Sequence, residues 1–98
     1  MRPQKLTAAE LTEALDSLPA WQLVQDGSAL HRSFRFADFR QAFAFMGRVA
    51  EKANELDHHP DWSNSYARVE VTLSTHDAGG LTALDLELAR FCDKAATS

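Results

Sequence analysis

Between Ala67 and Leu73 the chain alternates strictly, with Val69, Val71 and Leu73 set against Arg68, Glu70 and Thr72. Successive side chains on a strand leave opposite faces, so a period of two predicts a strand with one buried face and one wet face. A helix would scatter the same residues around its circumference. The strand-like run extends from Tyr66 to Thr75, and the rest of the chain must cover one side of the sheet that holds it. Before the run stands Asp57-His58-His59-Pro60-Asp61-Trp62. After it come His76, then Ala78-Gly79-Gly80-Leu81-Thr82 and an apolar helical pattern.

The remaining segments supply partners and cover. Thr7, with Glu10 three residues on, has the capping-box pattern, and Leu11, Leu15 and Leu18 line a helix that stops before Pro19. Trp21–Val24 and Leu30–Phe36 read as strands joined across Asp26-Gly27, where glycine accepts positive φ at no steric cost. Leu30, Phe34 and Phe36 share a face that Arg32 interrupts. His31 falls on the opposite side and reads as a surface residue. Asp38 caps a helix that runs to about Leu56. Trp62–Tyr66 predicts a short strand, turning near Asn64-Ser65 into the alternating one. Thr82 and Asp85 form a second capping-box pattern ahead of a last helix, with Leu81, Leu84, Leu88, Phe91 and Cys92 on its apolar side and a fraying tail after Lys94. The expected fold is α+β, order α-β-β-α-β-β-α: a four-stranded antiparallel sheet with helices packed on one face. At 98 residues, a single domain spanning 1–98 is expected.

The helix after Asp38 carries more apolar residues than one contact surface requires. Phe39, Ala42, Phe43, Phe45, Met46, Val49, Ala50, Ala53 and Leu56 cover an arc of roughly 160°, against the ~100° stripe of a helix on a single surface. The expectation is that one edge, near Phe45 and Val49, meets a second subunit.

Composition narrows the function. Net charge is −4 with Lys and Arg scattered, which argues against a nucleic-acid backbone as direct ligand. The lone Cys92 has no internal disulfide partner and no zinc-motif spacing with the histidines, so it reads as a buried thiol. No apolar run approaches the ~20 residues of a membrane span. Arg2 and Lys5 precede no apolar signal-peptide core, and a cytoplasmic protein without membrane partners is expected.

The chemistry lies in the histidines. Imidazole, with an unperturbed pKa of about 6.5, is the side chain that exchanges protons near neutral pH. Pro60 pushes His59 out of the helical region, and adjacent extended residues send their side chains in opposite directions. His58 and His59 can therefore line two walls of a shallow pocket, with His76 as a third and Trp62 as a flat surface for a planar heterocycle. Zinc accepts three histidines plus water, but adjacent histidines on one ion strain the backbone and no HExxH pattern is present. No metal is expected. Gly79-Gly80 lacks the lysine and spacing of a phosphate loop, and Cys92 sits mid-helix, a poor place for a nucleophile. A His-His pair alone would read as solvated loop. In this context the residues point to histidine-based proton transfer on a small molecule without a cofactor.

The run Leu56–Trp62, with Asn64, Tyr66, Val69, Leu73-Ser74-Thr75-His76, Gly80-Leu81-Thr82 and Asp85, resembles the pterin-4a-carbinolamine dehydratase family. The likeness extends from about Leu6, through Trp21, to the last helix. It implies dehydration of 4a-hydroxytetrahydrobiopterin to quinonoid dihydropterin, a hydro-lyase step that recycles tetrahydrobiopterin for the aromatic amino-acid hydroxylases. It implies catalytic roles for His58, His59 and His76, with pterin contacts from Asp57, Trp62, Ser74, Thr75 and Asp77 as well. A homodimer or homotetramer is also implied. Some family members act as dimerisation cofactor of a homeodomain transcription factor. An interaction protein resting on Phe43, Phe45 and Val49 is therefore the second implied role, and a degenerate homologue without dehydratase activity the third. The family pattern usually places an acidic residue four positions before the first histidine. Here that residue is Asn54, and Glu51, roughly on the same helical face, is expected to substitute.

Overall fold

The alternation from Arg68 to Leu73 is realised as an internal strand whose Val69, Val71 and Leu73 are wholly buried. The structure, a computed structural model, describes residues 4–97, so Arg2 lies outside the described residues. In chain order the elements are α1 (Ala8–Leu15), β1 (Gln22–Val24), β2 (Ala29–Arg35), α2 (Phe39–Leu56), β3 (Asp61–Ser65), β4 (Arg68–Leu73) and α3 (Ala83–Ala96), with a short 3-10 turn, His76–Ala78, before α3. The sheet runs β1-β2-β4-β3 and is antiparallel throughout. This is the expected α+β fold and element order.

Local chemistry sets the helix ends. Thr7 and Glu10 close a capping box on α1, the Asp38 carboxylate accepts from Gln41 N–H at 2.9 Å on α2, and Thr82 with Asp85 close a second box on α3. The core forms where Leu30 and Phe34 of β2 and the inner residues of β4 meet Phe45 and Val49 of α2 and Leu88, Ala89 and Cys92 of α3. Arg32 also lies on this covered face. Its guanidinium stacks 4.2 Å from the Phe34 ring and pairs with Asp93 of α3, which also accepts from Trp21 Nε1 at 2.8 Å. A cation interrupts the apolar face because α3 supplies its counter-charge.

Several boundaries differ from expectation, each for a local reason. The turn between β1 and β2 spans four residues, with Gln25, Asp26 and Gly27 all at positive φ. The next hairpin turns at Tyr66-Ala67 rather than Asn64-Ser65, because the Asn64 amide donates to the carbonyls of Tyr66 and Arg68 and holds Tyr66 at φ 51°. α3 continues past Lys94 to Ala96, since Ala95 is buried and cannot fray without exposing apolar surface.

The arc on α2 divides differently too. Ala42, Phe45, Val49 and Ala53 form the line buried against the chain's own core, so Phe45 and Val49 are not an outward edge. The outward edge is Phe39 and Phe43, 45% and 62% exposed, with rings stacked at 5.6 Å. Among the described residues no helix is long and apolar enough to cross a membrane.

Candidate functional site

The site begins at the end of α2. Asp57 adopts a left-handed conformation, φ 51° and ψ 42°, which few residues other than glycine enter readily. The Asp57 N–H donates to Asn54 O at 3.2 Å and the His58 N–H to Ala53 O at 3.0 Å, the paired bonds that reverse a chain leaving a helix. Pro60 then keeps His59 extended. The two imidazoles accordingly separate, with His58 turned inward and His59 outward.

His58 Nε2 lies 2.6 Å from Oδ1 of Asp85, whose side chain is fully buried at the start of α3. The other oxygen, Oδ2, accepts from the Thr75 hydroxyl at 2.8 Å and the Thr82 N–H at 2.9 Å. Thr75 and Thr82 hydroxyls are 2.8 Å apart. Because Thr75 gives its proton to Asp85, the Thr82 hydroxyl donates to Thr75. Both oxygens of this buried carboxylate are then hydrogen-bonded, the condition under which a buried polar network holds a single geometry. The helix N-terminus adds a favourable field for the negative charge. A carboxylate only accepts, so His58 donates from Nε2 and retains Nδ1 for exchange with a ligand.

His59 Nε2 lies 3.0 Å from the amide oxygen of Asn54. Glu51, expected to take that part, is exposed and makes no hydrogen bond to either ring among the described residues. The strand stops at Leu73 rather than Thr75, and His76 opens the 3-10 turn. Thr75 before it pairs with Gly80, and Gly79 takes the left-handed φ of 74° that closes the turn. His76 Nε2 is 3.9 Å from Asp61 Oδ2, with side chains 85% and 79% exposed, a solvated pair of small energetic weight.

One cleft of about 240 Å³ gathers these parts. His58, His59 and Asp57 form one wall, and Ser74, Thr75, His76 and Asp77 form the other. Trp62 does not line it. Its register with Val71 puts it on the helix-covered face, packed against the core. His31 is also elsewhere, 2.8 Å from Glu70 on the other sheet face. The Ser33 hydroxyl, with help from His31 and Arg68, holds the Glu70 carboxyl below its ordinary range despite partial desolvation. Cys92 is buried, and burial pushes its thiol up to about 12. A larger hollow of about 440 Å³ between α1 and α3 contains no histidine, and its Glu10 is already used by the α1 cap. Among the described residues no three His, Cys, Asp or Glu side chains are grouped to hold a metal ion.

The residue that sequence reasoning undervalued is Asp85. Its capping-box position was visible, but its bond to His58 depends on how α2 and α3 are brought together.

A four-stranded antiparallel sheet under helices, with imidazoles on both walls of one cleft, defines a small α+β fold equipped for acid–base chemistry. A family model described as pterin 4 alpha carbinolamine dehydratase matches residues 4–95. A Burkholderia cenocepacia protein provisionally named as such a dehydratase is 59% identical over 93 residues, covering 95% of this chain and 91% of the relative. A Mesorhizobium japonicum protein with the same provisional name is 56% identical over 90 residues, covering 92% of each. The crystal structure of a transcriptional coactivator/pterin dehydratase from Brucella melitensis superposes with TM-score 0.91 at 48% identity, covering 95% of this chain and 99% of that one. A pterin dehydratase-like protein identified as a RuBisCO assembly factor in the alpha-carboxysome shares the fold, with TM-score 0.70 at 24% identity over 81% of this chain and 92% of that one. The chain belongs to the pterin-4a-carbinolamine dehydratase family.

Proposed function

We propose that the protein dehydrates a pterin-4a-carbinolamine such as 4a-hydroxytetrahydrobiopterin to the quinonoid dihydropterin and water. The observation that carries this reading is the convergence of His58, His59 and His76 on one cleft, each beside a different partner. The reaction needs a proton delivered to the departing C4a oxygen and a proton removed from the ring. The C4a–O bond breaks, its oxygen leaves as water, and the lost ring proton restores the electron count without oxidant or reductant. Imidazoles lining one cleft can do both. At about 240 Å³ the cleft is somewhat below the ~300 Å³ at which ligand pockets usually begin, a size suited to an open seat for one bicyclic ring. Asp57, Ser74, Thr75 and Asp77 supply polar contacts around its edge.

Stopped-flow dehydration of the carbinolamine tests the reading. Removal of acid–base groups typically costs 10²–10⁴-fold, so a His59→Ala, His76→Ala double variant is expected to be nearly inactive. Equal rates for variant and wild type would defeat it. Dialysis against a chelator is expected to leave the rate unchanged.

A second copy of the chain is the partner favoured by the stacked, exposed Phe39 and Phe43 on α2. The same edge suits the alternative role as an interaction protein, in keeping with the coactivator named for the Brucella relative.

A further inference from the structure

Two adjacent histidines are anchored through the same nitrogen to partners of unlike charge. His58 Nε2 meets the Asp85 carboxylate at 2.6 Å, and His59 Nε2 meets the Asn54 amide oxygen at 3.0 Å. Asp85 offers a counter-charge to a doubly protonated ring. Asn54 offers an acceptor and no charge. Its place is fixed by the fold, because the Asn54 backbone carbonyl accepts from the Asp57 N–H in the reversal that ends α2.

We propose that Asn54 is a positioning residue that keeps His59 the proton acceptor of the pair. The amide oxygen holds the ring as the Nε2–H tautomer and leaves the Nδ1 lone pair toward the cleft. This rests on the dehydratase reading and divides its labour. His58, backed by Asp85, carries the proton that goes to the leaving oxygen. His59 takes the proton that the ring loses.

Other charged groups surround His59. Asp57 and His58 adjoin it in the chain, and His76 and Asp77 face it across the cleft. Glu51 and Glu55 are exposed on α2, and Asp61 opens β3. Among the described residues none of these carboxylates hydrogen-bonds to His59, whose ring partner is Asn54. An Asn54→Asp substitution therefore places the first carboxylate on that nitrogen.

The experiment follows each histidine by NMR titration of the full-length chain in wild type, Asn54→Asp and Glu51→Gln. A carboxylate at hydrogen-bond distance is expected to raise the His59 midpoint by about one pH unit or more. Glu51→Gln is expected to leave it in place. Stopped-flow rates against pH should show the limb that reports the base moving upward in Asn54→Asp by the same amount. An Asn54→Ala chain, with the ring unanchored, should lose kcat with KM nearly constant. An unchanged His59 midpoint in Asn54→Asp, or an equal change in Glu51→Gln, overturns the proposal. A raised midpoint in a protein whose wild type dehydrates no carbinolamine supports the Asn54–His59 pairing and overturns the reaction assigned above.

Discussion

Nε2 of His58 and Oδ1 of Asp85 meet at 2.6 Å across 27 positions of the chain, tying the end of α2 to the start of α3. The same carboxylate completes the capping box of α3 through the Thr82 N–H. Helix start and ring orientation thus depend on a single side chain. Loss of one partner from a buried ion-paired network typically costs about 3–5 kcal/mol, far more than a surface pair.

Asp85→Asn separates the two tasks. The amide keeps one oxygen for Thr75 and Thr82, which donate to Oδ2 in the wild type. Its NH2 then faces His58 and forces the ring to the other tautomer, with the proton on Nδ1. The expected result is a folded protein, weakened by about 1–3 kcal/mol. Its dehydration rate should fall by about 10²–10⁴-fold. Chemical denaturation and stopped-flow assay on the same sample check both parts. A wild-type rate would show that Asp85 acts only as a cap.

Thr75→Val probes the support behind Asp85. Valine matches the shape but leaves Oδ2 with the Thr82 N–H alone and deprives the Thr82 hydroxyl of its acceptor. Unsatisfied buried groups of this kind cost about 1–3 kcal/mol. Thr75→Ser should recover most of the loss. Urea midpoints for the three proteins provide the measurement, and equal midpoints would contradict the proton arrangement drawn here.

Features written in short-range chemistry were legible before folding. The β4 alternation and the caps at Thr7, Asp38 and Thr82 need only neighbours within a few residues. The separation of His58 from His59 follows from Pro60 in the same way. What stayed hidden required distant partners. Arg32 is tolerated on the covered face because Asp93 sits 61 positions away. The apolar arc of α2 does not state which edge the sheet covers, so of Phe43, Phe45 and Val49 only Phe43 is exposed and the other two lie in the core. Chemical type alone suggests a place for Trp62 in the cleft, whereas its register with Val71 sends it to the core. Tyr66 read as strand because nothing local announces that the Asn64 amide will hold two carbonyls of the turn.

Phe43→Glu tests the exposed edge of α2. A side chain 62% exposed in the isolated chain can accept a charge with little effect on folding. If Phe39 and Phe43 meet a second copy, the variant should shift to the monomer mass in light scattering at micromolar concentration while the wild type remains an oligomer. Phe45→Ala is the contrast. Phe45 is fully buried, and its truncation should cost about 3–5 kcal/mol of stability. A monomeric wild type would remove the edge from consideration as a self-interface.

Cys92 gives the protein a distinct alkaline limit. Burial raises its thiol from 9.0 to about 12, with a smaller upward effect from Asp93 and a smaller opposing one from Arg32. In the unfolded chain the thiol ionises near its ordinary value while the folded chain keeps it protonated. Its contribution to stability is therefore complete below the unfolded pKa and is lost as pH rises toward the folded one. The expected slope from this group is about 1.4 kcal/mol per pH unit within that window. Urea unfolding from pH 8 to pH 11 should show a shallower decline for Cys92→Ala than for wild type, even though the smaller side chain lowers stability at pH 8. A thiol reagent at neutral pH should label wild-type Cys92 only at the rate of unfolding. Rapid labelling of the native protein, or parallel pH profiles for the two chains, would contradict the placement of Cys92 in the core.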